Sequence, residues 1–351
     1  MRINFVISSI LLLGGCTYDA IHEFASENCK TDFIGFPDIP DWQVSSIPSQ
    51  PDTNLVNEVY FFEDKKGLLF TEKNIWLTKN EGNSWEKVFS SDLVYAYDIS
   101  FIDGLQGFVA GRLENKYCLL KTNDGGESWA TIYLDSIDFF EHISFASANI
   151  GIASFNHWNI NHTLSYRYNA KTTDGGLTWK VIPDLSANSR EKVTMKLLPN
   201  GFGYIPGRNG DMHLTNDFGE TWKTLNPGID DLYAGQFLDM DTGFVSSFNQ
   251  VYKTVDGGKS WTTISENRAE MIHFFSSQDG VLLIHIATDY NIDSNILINC
   301  FAFLTTYNGG ISWVEGPPSV NFEMKEINFI SSGLGYAFSW KKPYSASKLF
   351  R

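Results

Sequence analysis

Basic side chains are scarce in this chain. Its 351 residues carry 26 Lys and Arg against 41 Asp and Glu, a formal net charge of −15. There is no long basic run. Phosphate recognition needs a clustered basic footprint, so no nucleic acid is expected as a partner. Cysteine is scarce too: Cys16, Cys29, Cys118 and Cys300 form no Cys-x-x-Cys and no Cys/His cluster. That excludes the common zinc frameworks, and no cofactor is expected. Long apolar runs are also lacking. The run over residues 3–13 is too short to span a bilayer as a permanent helix.

What is abundant is aromatic residues, 15% of the chain, and one octapeptide. It reads Ser/Thr-x-Asp/Asn-x-Gly-x-Ser/Thr-Trp and occurs six times, over residues 78–85, 122–129, 172–179, 215–222, 254–261 and 306–313. Its third, fifth and eighth positions are Asn80, Gly82 and Trp85; Asp124, Gly126 and Trp129; Asp174, Gly176 and Trp179; Asp217, Gly219 and Trp222; Asp256, Gly258 and Trp261; Asn308, Gly310 and Trp313. A fixed period of about 40–50 residues signals a repeat architecture. Each copy lies between two short apolar runs, which predicts a β-hairpin turn. The Asp or Asn accepts bonds from the turn's own N–H groups, the Gly supplies a positive φ, and the Trp is a buried peg. Six acidic catalytic sites in one chain would be a poorer account than six self-bonded turns.

A second signal precedes each octapeptide: an apolar strand, a polar turn, then Gly and another strand. Phe101 with Gly107 and Phe237 with Gly243 are clear copies. Seven such A–B pairs occur, but only six octapeptides. Each repeat is therefore read as four strands, A to D, with the octapeptide as the C–D turn. The last repeat lacks its strand D. Residues 41–47 resemble the strands that follow each octapeptide and are expected to supply it. The expectation is an all-β fold: a seven-bladed β-propeller of four-stranded antiparallel blades over residues 41–351, closed by an N-terminal strand that leaves no open edge at the seam.

Residues 1–15 read as a signal peptide, and Leu13-Gly14-Gly15-Cys16 resembles a bacterial lipobox. The resemblance implies cleavage before Cys16, lipidation of that residue and a location in the bacterial cell envelope. The anchor would hold the chain on a membrane, the outer one if the host has two. Residues 16–40 read as a tether. Lipidation of Cys16 leaves three cysteines with no assignable pair.

Strand parity places the A–B turns and octapeptides on one face and the B–C and D–A loops on the other. The long B–C connections, residues 156–168 and 288–299, fall on that second face, where binding usually resides. Candidate binding residues there are Arg112, His157, Trp158, Arg167, Arg208 and Lys341, with a local positive rim expected from the cations. Asp289, Asn291, Asp293 and Asn295 alternate like calcium ligands, but the sixth-position Gly and the acidic twelfth residue of such a loop are missing.

The octapeptide resembles the Asp-box, or BNR repeat, of sialidases, sortilin-type receptors and photosystem II stability/assembly-factor-like propellers. The last of these is the resemblance that covers residues 41–351, and it implies a binding or assembly scaffold whose Asp-boxes are structural. The partner would be a protein or a glycan. Photosynthesis is not implied. The alternative is sialidase-like or other glycoside hydrolysis. The sialidase resemblance implies three arginines around a carboxylate and an early Phe/Tyr-Arg-Ile/Val-Pro motif, and that motif is absent here. Acids on many loops leave a carboxylate pair open.

Overall fold

A computed structural model describes residues 44–350. Left undescribed within that span are residues 46–55, 63–64, 72, 92–93, 115, 135–138, 159–164, 187–194, 207–210, 227, 230–231, 233, 292–295, 316–318, 321–323, 332–333 and 340–347. Every regular element among the described residues is a strand. After β1 (Val44–Ser45), a first sheet holds β2 (Val56–Phe61), β3 (Gly67–Thr71), β4 (Asn74–Thr78) and β5 (Glu86–Ser90). The second holds β6 (Val94–Phe101), β7 (Gly107–Leu113), β8 (Lys116–Thr122) and β9 (Ala130–Tyr133). The third holds β10 (Phe139–Phe145), β11 (Gly151–Trp158), β12 (Ser165–Thr172) and β13 (Lys180–Ser186). The fourth holds β14 (Lys196–Leu197), β15 (Gly203–Pro206), β16 (Met212–Thr215) and β17 (Lys223–Leu225). The fifth holds β18 (Ala234–Phe237), β19 (Gly243–Ser246), β20 (Val251–Thr254) and β21 (Thr262–Ser265). The sixth holds β22 (Ala269–Phe274), β23 (Gly280–Asn291), β24 (Ile296–Thr306), β25 (Val314–Glu315) and β26 (Ser319–Val320). Finally β27 (Met324–Ser331), β28 (Leu334–Ser339) and β29 (Lys348–Phe350) form a sheet that β1 completes, with Val44 opposite Phe350 and Ser45 opposite Leu349. All pairings are antiparallel meanders, six four-stranded sheets and one five-stranded.

The A–B signal has a packing cause. In every sheet the last aromatic or Leu of strand A lies opposite the first Gly of strand B: Phe61–Gly67, Phe101–Gly107, Phe145–Gly151, Leu197–Gly203, Phe237–Gly243, Phe274–Gly280 and Phe329–Gly335. The rings of Phe61, Phe101, Phe145, Phe237 and Phe274 lie over the bare backbone. A Cβ on Gly107 or Gly280 would stand 2.4 Å from the facing ring, so no larger residue fits.

The core is distributed between sheets. One buried cluster joins Leu68, Phe70 and Ile75 of the first sheet to Val109 and Leu120 of the second. Corresponding clusters join the second to the third, the third to the fourth, the fourth to the fifth and the fifth to the sixth. In each, the octapeptide Trp of the later sheet packs into the interface with the earlier one: Trp129, Trp179, Trp222, Trp261 and Trp313. Phe108 stacks on Phe145 and Phe244 on Phe274 across two such interfaces, at 3.6 and 3.4 Å between centroids. Burial of this kind stabilises by roughly 1.5–3 kcal/mol per large apolar side chain.

The A strands would expose a free edge, which side chains cover. Asp98 Oδ2 accepts from Ile143 N–H at 2.7 Å, and Ser100 Oγ from Phe145 N–H at 2.9 Å. Ser144 Oγ accepts from Leu197 N–H at 2.9 Å, and Gln236 brackets the Phe274 backbone. Each A strand so linked is tied to the next, which saturates groups that a lone edge would leave open.

Candidate binding face

The two ends of the sheets differ. At one end all six octapeptides close on themselves. The first Thr hydroxyl accepts from the fifth-position Gly N–H at 2.8–3.0 Å. It donates to the Asp or Asn Oδ1 at 2.8–3.0 Å. That oxygen also accepts from the seventh-residue N–H at 2.9 Å in every copy. In the four Asp copies the seventh-residue hydroxyl donates to Oδ2 at 2.5–2.6 Å. In the two Asn copies the bond is reversed, and Nδ2 of Asn80 and Asn308 donates to the hydroxyl. Trp129, Trp179, Trp222 and Trp261 donate their indole N–H to the turn's own Gly carbonyl at 3.0–3.2 Å. The fourth-position N–H of each copy donates to a carbonyl in the A–B turn of the same sheet, as Gly125 does to Leu105 at 2.8 Å. The Ser260 hydroxyl and its N–H hold the Asp256 carboxyl down at about 2. These carboxylates are engaged as acceptors inside the turn, which suits a structural role and not proton transfer.

Two conformational demands meet in this turn, where the sequence showed one. The fourth and fifth residues are both left-handed, φ +71° and +89° at Gly125 and Gly126. Four copies place Gly at the fourth position; Glu81 and Phe218 occupy it at φ 60° and 59°.

The opposite end is uneven. The expected loops are largely strand. β11 and β12 pair out to Trp158 opposite Ser165, so only residues 159–164 connect them. Of the span over residues 288–299, residues 288–291 belong to β23 and residues 296–299 to β24. Asp289 and Asn291 lie in β23, opposite Ile298 and Ile296; Asp293 and Asn295 lie outside the described residues. β23 runs twelve residues from its Gly, β19 only four. At about 3.3 Å per residue the sixth hairpin extends roughly 25 Å further.

Five of the A strands carry a β-bulge at the same place, between Val56 and Glu58, Ala96 and Asp98, Phe140 and His142, Ala269 and Met271, and Met324 and Glu326. A bulge re-aims a side chain, and bulges concentrate beside functional sites. Tyr97, in the second sheet's bulge, joins Tyr117 and Phe139 with ring centroids 5.8–6.4 Å apart. Arg112 lies 6.0 Å over the Tyr117 ring and reaches the Tyr97 hydroxyl. Burial pushes the Tyr97 phenol up, against the pull of Arg112. Glu141, in the third sheet's bulge, takes both Nε and a terminal nitrogen of Arg167 at 2.8 Å, and Asn156 Nδ2 at 3.3 Å. Arg268 pairs with Glu270 of the sixth bulge and lies over the Phe248 ring. Arg167 is therefore charge-compensated, and the expected positive rim is reduced by that pair. His157 is half-buried in β11. Arg208, Lys341 and Cys16 lie outside the described residues.

Sequence reasoning missed a row of polar side chains on the inner strands: Asp98, His142, Lys196 and His273. His142 Nδ1 stands 3.6 Å from Asp98 Oδ2. The Lys196 charge bears on both Asp98, two sheets before it, and His273, two sheets after it. Strands that far apart in order converge only around a common axis. Lys196 is open to solvent yet walled by protein, and burial lowers its affinity for a proton. Burial, with Lys196 nearby, pushes His273 down to about 4. Among the described residues no three His, Cys, Asp or Glu side chains gather to hold a metal ion.

Comparison with solved structures gives the class to which this arrangement belongs. A structure described as YCF48 bound to D1 peptide matches with a TM-score of 0.54 at 17% identity, over 88% of this chain and 94% of that one. YCF48 from Cyanidioschyzon merolae matches with a TM-score of 0.57 at 12% identity, over 87% and 97%. The structure of U3-55K matches with a TM-score of 0.57 at 8% identity, over 88% and 97%. The fold is a β-propeller. No protein-family model matches the chain, and no curated protein does.

Proposed function

We infer that this propeller is a non-catalytic binding or assembly scaffold of the bacterial cell envelope. It recognises a protein or a glycan through the end opposite the octapeptide turns. The observation that carries this reading is the Tyr97, Tyr117, Phe139 and Arg112 cluster, built on a recurring bulge at the one end where the sheets differ. Aromatic and Arg side chains at the centre of a patch are the usual anchors of recognition. The solved neighbour that holds a D1 peptide shows that a propeller of this shape can take a peptide.

The domain is read as seven-bladed, over residues 41–351, with residues 1–15 as a lipoprotein signal and residues 16–40 as a tether from a lipidated Cys16. The β1–β29 pairing supports closure, as does the packing of β2 against β27 and β28. Trp85 supports it too. The five later octapeptide Trp residues fill interfaces with a preceding sheet, and for the first sheet only the last can play that part. Its buried indole nitrogen has no partner among the described residues.

The test is a peptide- and glycan-array screen of residues 17–351, with turnover of sialosides and aryl glycosides followed in the same samples. Binding without turnover is expected. Truncating Tyr117 or Arg112 to Ala should weaken it by about thirtyfold, the effect of an anchor worth about 2 kcal/mol. Turnover abolished by removing a carboxylate on this face would overturn the reading in favour of a glycoside hydrolase.

A further inference from the structure

In the first six sheets the third strand runs into an octapeptide turn and the fourth runs out of it, and β29 holds the third place in the last sheet. β1 occupies the fourth place beside β29 and is antiparallel to it. The chain therefore reaches Val44 from the octapeptide end. Twenty-eight residues separate that point from Cys16, a span of at most about 90–100 Å. The same end carries exposed apolar side chains. Leu105, Leu177, Met240, Val255, Tyr307 and Ile311 all stand on its turns, with Val255 67% and Ile311 87% exposed. Four of them are neighbours. Met240 lies in the A–B turn whose Asp241 carbonyl receives the Gly257 N–H of the Val255 turn. Lys253, at the root of that turn, donates to the Gly309 carbonyl at 3.3 Å, inside the turn of Tyr307 and Ile311. Exposed apolar side chains that stand together mark an interaction site, unlike scattered ones. Asp239 and Asp256 are engaged as acceptors inside these turns, Asp241 is exposed, and a chain of charge −15 gains nothing from anionic headgroups.

We propose that the octapeptide end lies against the bilayer surface, with Met240, Val255, Tyr307 and Ile311 in its apolar boundary, so that the aromatic end points away from the membrane toward its ligand. One acyl anchor on such a tether bounds the distance and sets no orientation; a second, apolar contact on the side where the tether enters fixes both. This rests on the lipid anchor at Cys16 proposed above.

The test uses the full lipidated chain on phosphatidylcholine vesicles. Ile311→Cys and Phe248→Cys, the latter 69% exposed at the opposite end, are labelled with a water-soluble maleimide and read by peptide mass mapping. Labelling at Ile311→Cys should slow at least tenfold on vesicles relative to detergent solution, and at Phe248→Cys less than twofold. Adding Met240→Asp, Val255→Asp and Tyr307→Asp should restore the Ile311→Cys rate, with an unchanged melting temperature as the check on folding. Equal rates at the two sites, or protection that survives the three Asp substitutions, would overturn the orientation. Cys16→Ser separates the two readings. Release from the vesicles leaves the anchor standing whatever the labelling shows. A Cys16→Ser chain that stays bound as before removes the anchor, and the proposed orientation with it.

Discussion

The two ends of this propeller are made from the same strands and obey different rules. At the octapeptide end six turns repeat one bond set to within a few tenths of an ångström. At the other end the hairpins range from four-residue to twelve-residue strands. The bulged residues there include a Tyr and two Glu. Repetition answers a demand that six of the seven sheets share: to close a C–D turn, sew it to its A–B turn and peg it to the neighbouring sheet. Variation appears where no such demand exists. Only the second end differs enough from sheet to sheet to carry the selectivity proposed for it.

The largest expected effect sharpens this contrast within one pair of residues. Phe274 is buried, covers Gly280, stacks on Phe244 and meets the Trp313 edge. Phe274→Ala should cost about 3–5 kcal/mol of stability, because the cavity cannot collapse between two stacked sheets. Phe248, exposed at the variable end, should tolerate Ala within about 0.5 kcal/mol. Urea unfolding of both variants checks the pair. Similar losses would mean that the core is not where the interfaces between sheets place it.

A middle-sized effect concerns the turn itself. Asp124→Ala strips the acceptor from Thr122 and Ser128 and should cost about 1–3 kcal/mol. Asp124→Asn should cost under about 1 kcal/mol, since Asn80 and Asn308 already make the same turn with one bond reversed. Equal costs for the two variants would show that charge, and not hydrogen-bond geometry, holds the turn.

Acid should expose the same carboxylates by degrees. Asp124 and Asp217 lie at about 2 because bonds from the turn outweigh the opposing effect of burial; Asp256 lies there through its bonds to Ser260. A carboxyl depressed in the folded state stabilises it above the unfolded value, near 3.9. That contribution is lost as pH falls from about 4 through 2. Urea midpoints should decline over that window, and the Asn triple variant should decline less. An identical slope in the variant would shift the cause to other groups.

The octapeptide and the Phe–Gly signal were legible because both are local: the turn's own side-chain bonds span at most four residues and each Phe–Gly pair six. The all-β propeller follows from their count and spacing. The long hairpins were read as loops because strands projecting past the core need no alternating apolar pattern; their backbones satisfy each other, as Asp289 does with Ile298. The inner row was invisible for the opposite reason. Asp98, Lys196 and His273 are separated by scores of residues and meet only around the axis. Arg167 looked like a free cation because its partner, Glu141, lies 26 residues earlier in strand A, on the far side of β11.

The smallest expected effect tests a demand the sequence partly concealed. A left-handed backbone costs an ordinary L-residue about 1–2 kcal/mol, and Glu81 and Phe218 both bear it where four other copies use Gly. Their side chains decide the sign of replacement. Glu81, itself buried, meets the exposed Lys65 at 3.2 Å, and with one partner in solvent the pair is worth no more than about 1 kcal/mol. Its N–H bond to Lys65 survives substitution. Glu81→Gly should therefore stabilise by about 0.5–1 kcal/mol, after the added entropy of the unfolded chain. Phe218 instead packs its ring on Gly201 and against the cluster shared by the third and fourth sheets. Phe218→Gly gains the same backbone relief and loses that burial, for a net cost of about 1–2 kcal/mol. Opposite signs from one turn position would show that the backbone of the repeat is fixed and that each copy differs only in what its side chain touches. A loss in both would mean that the Glu81 side chain contributes more than its pair with Lys65.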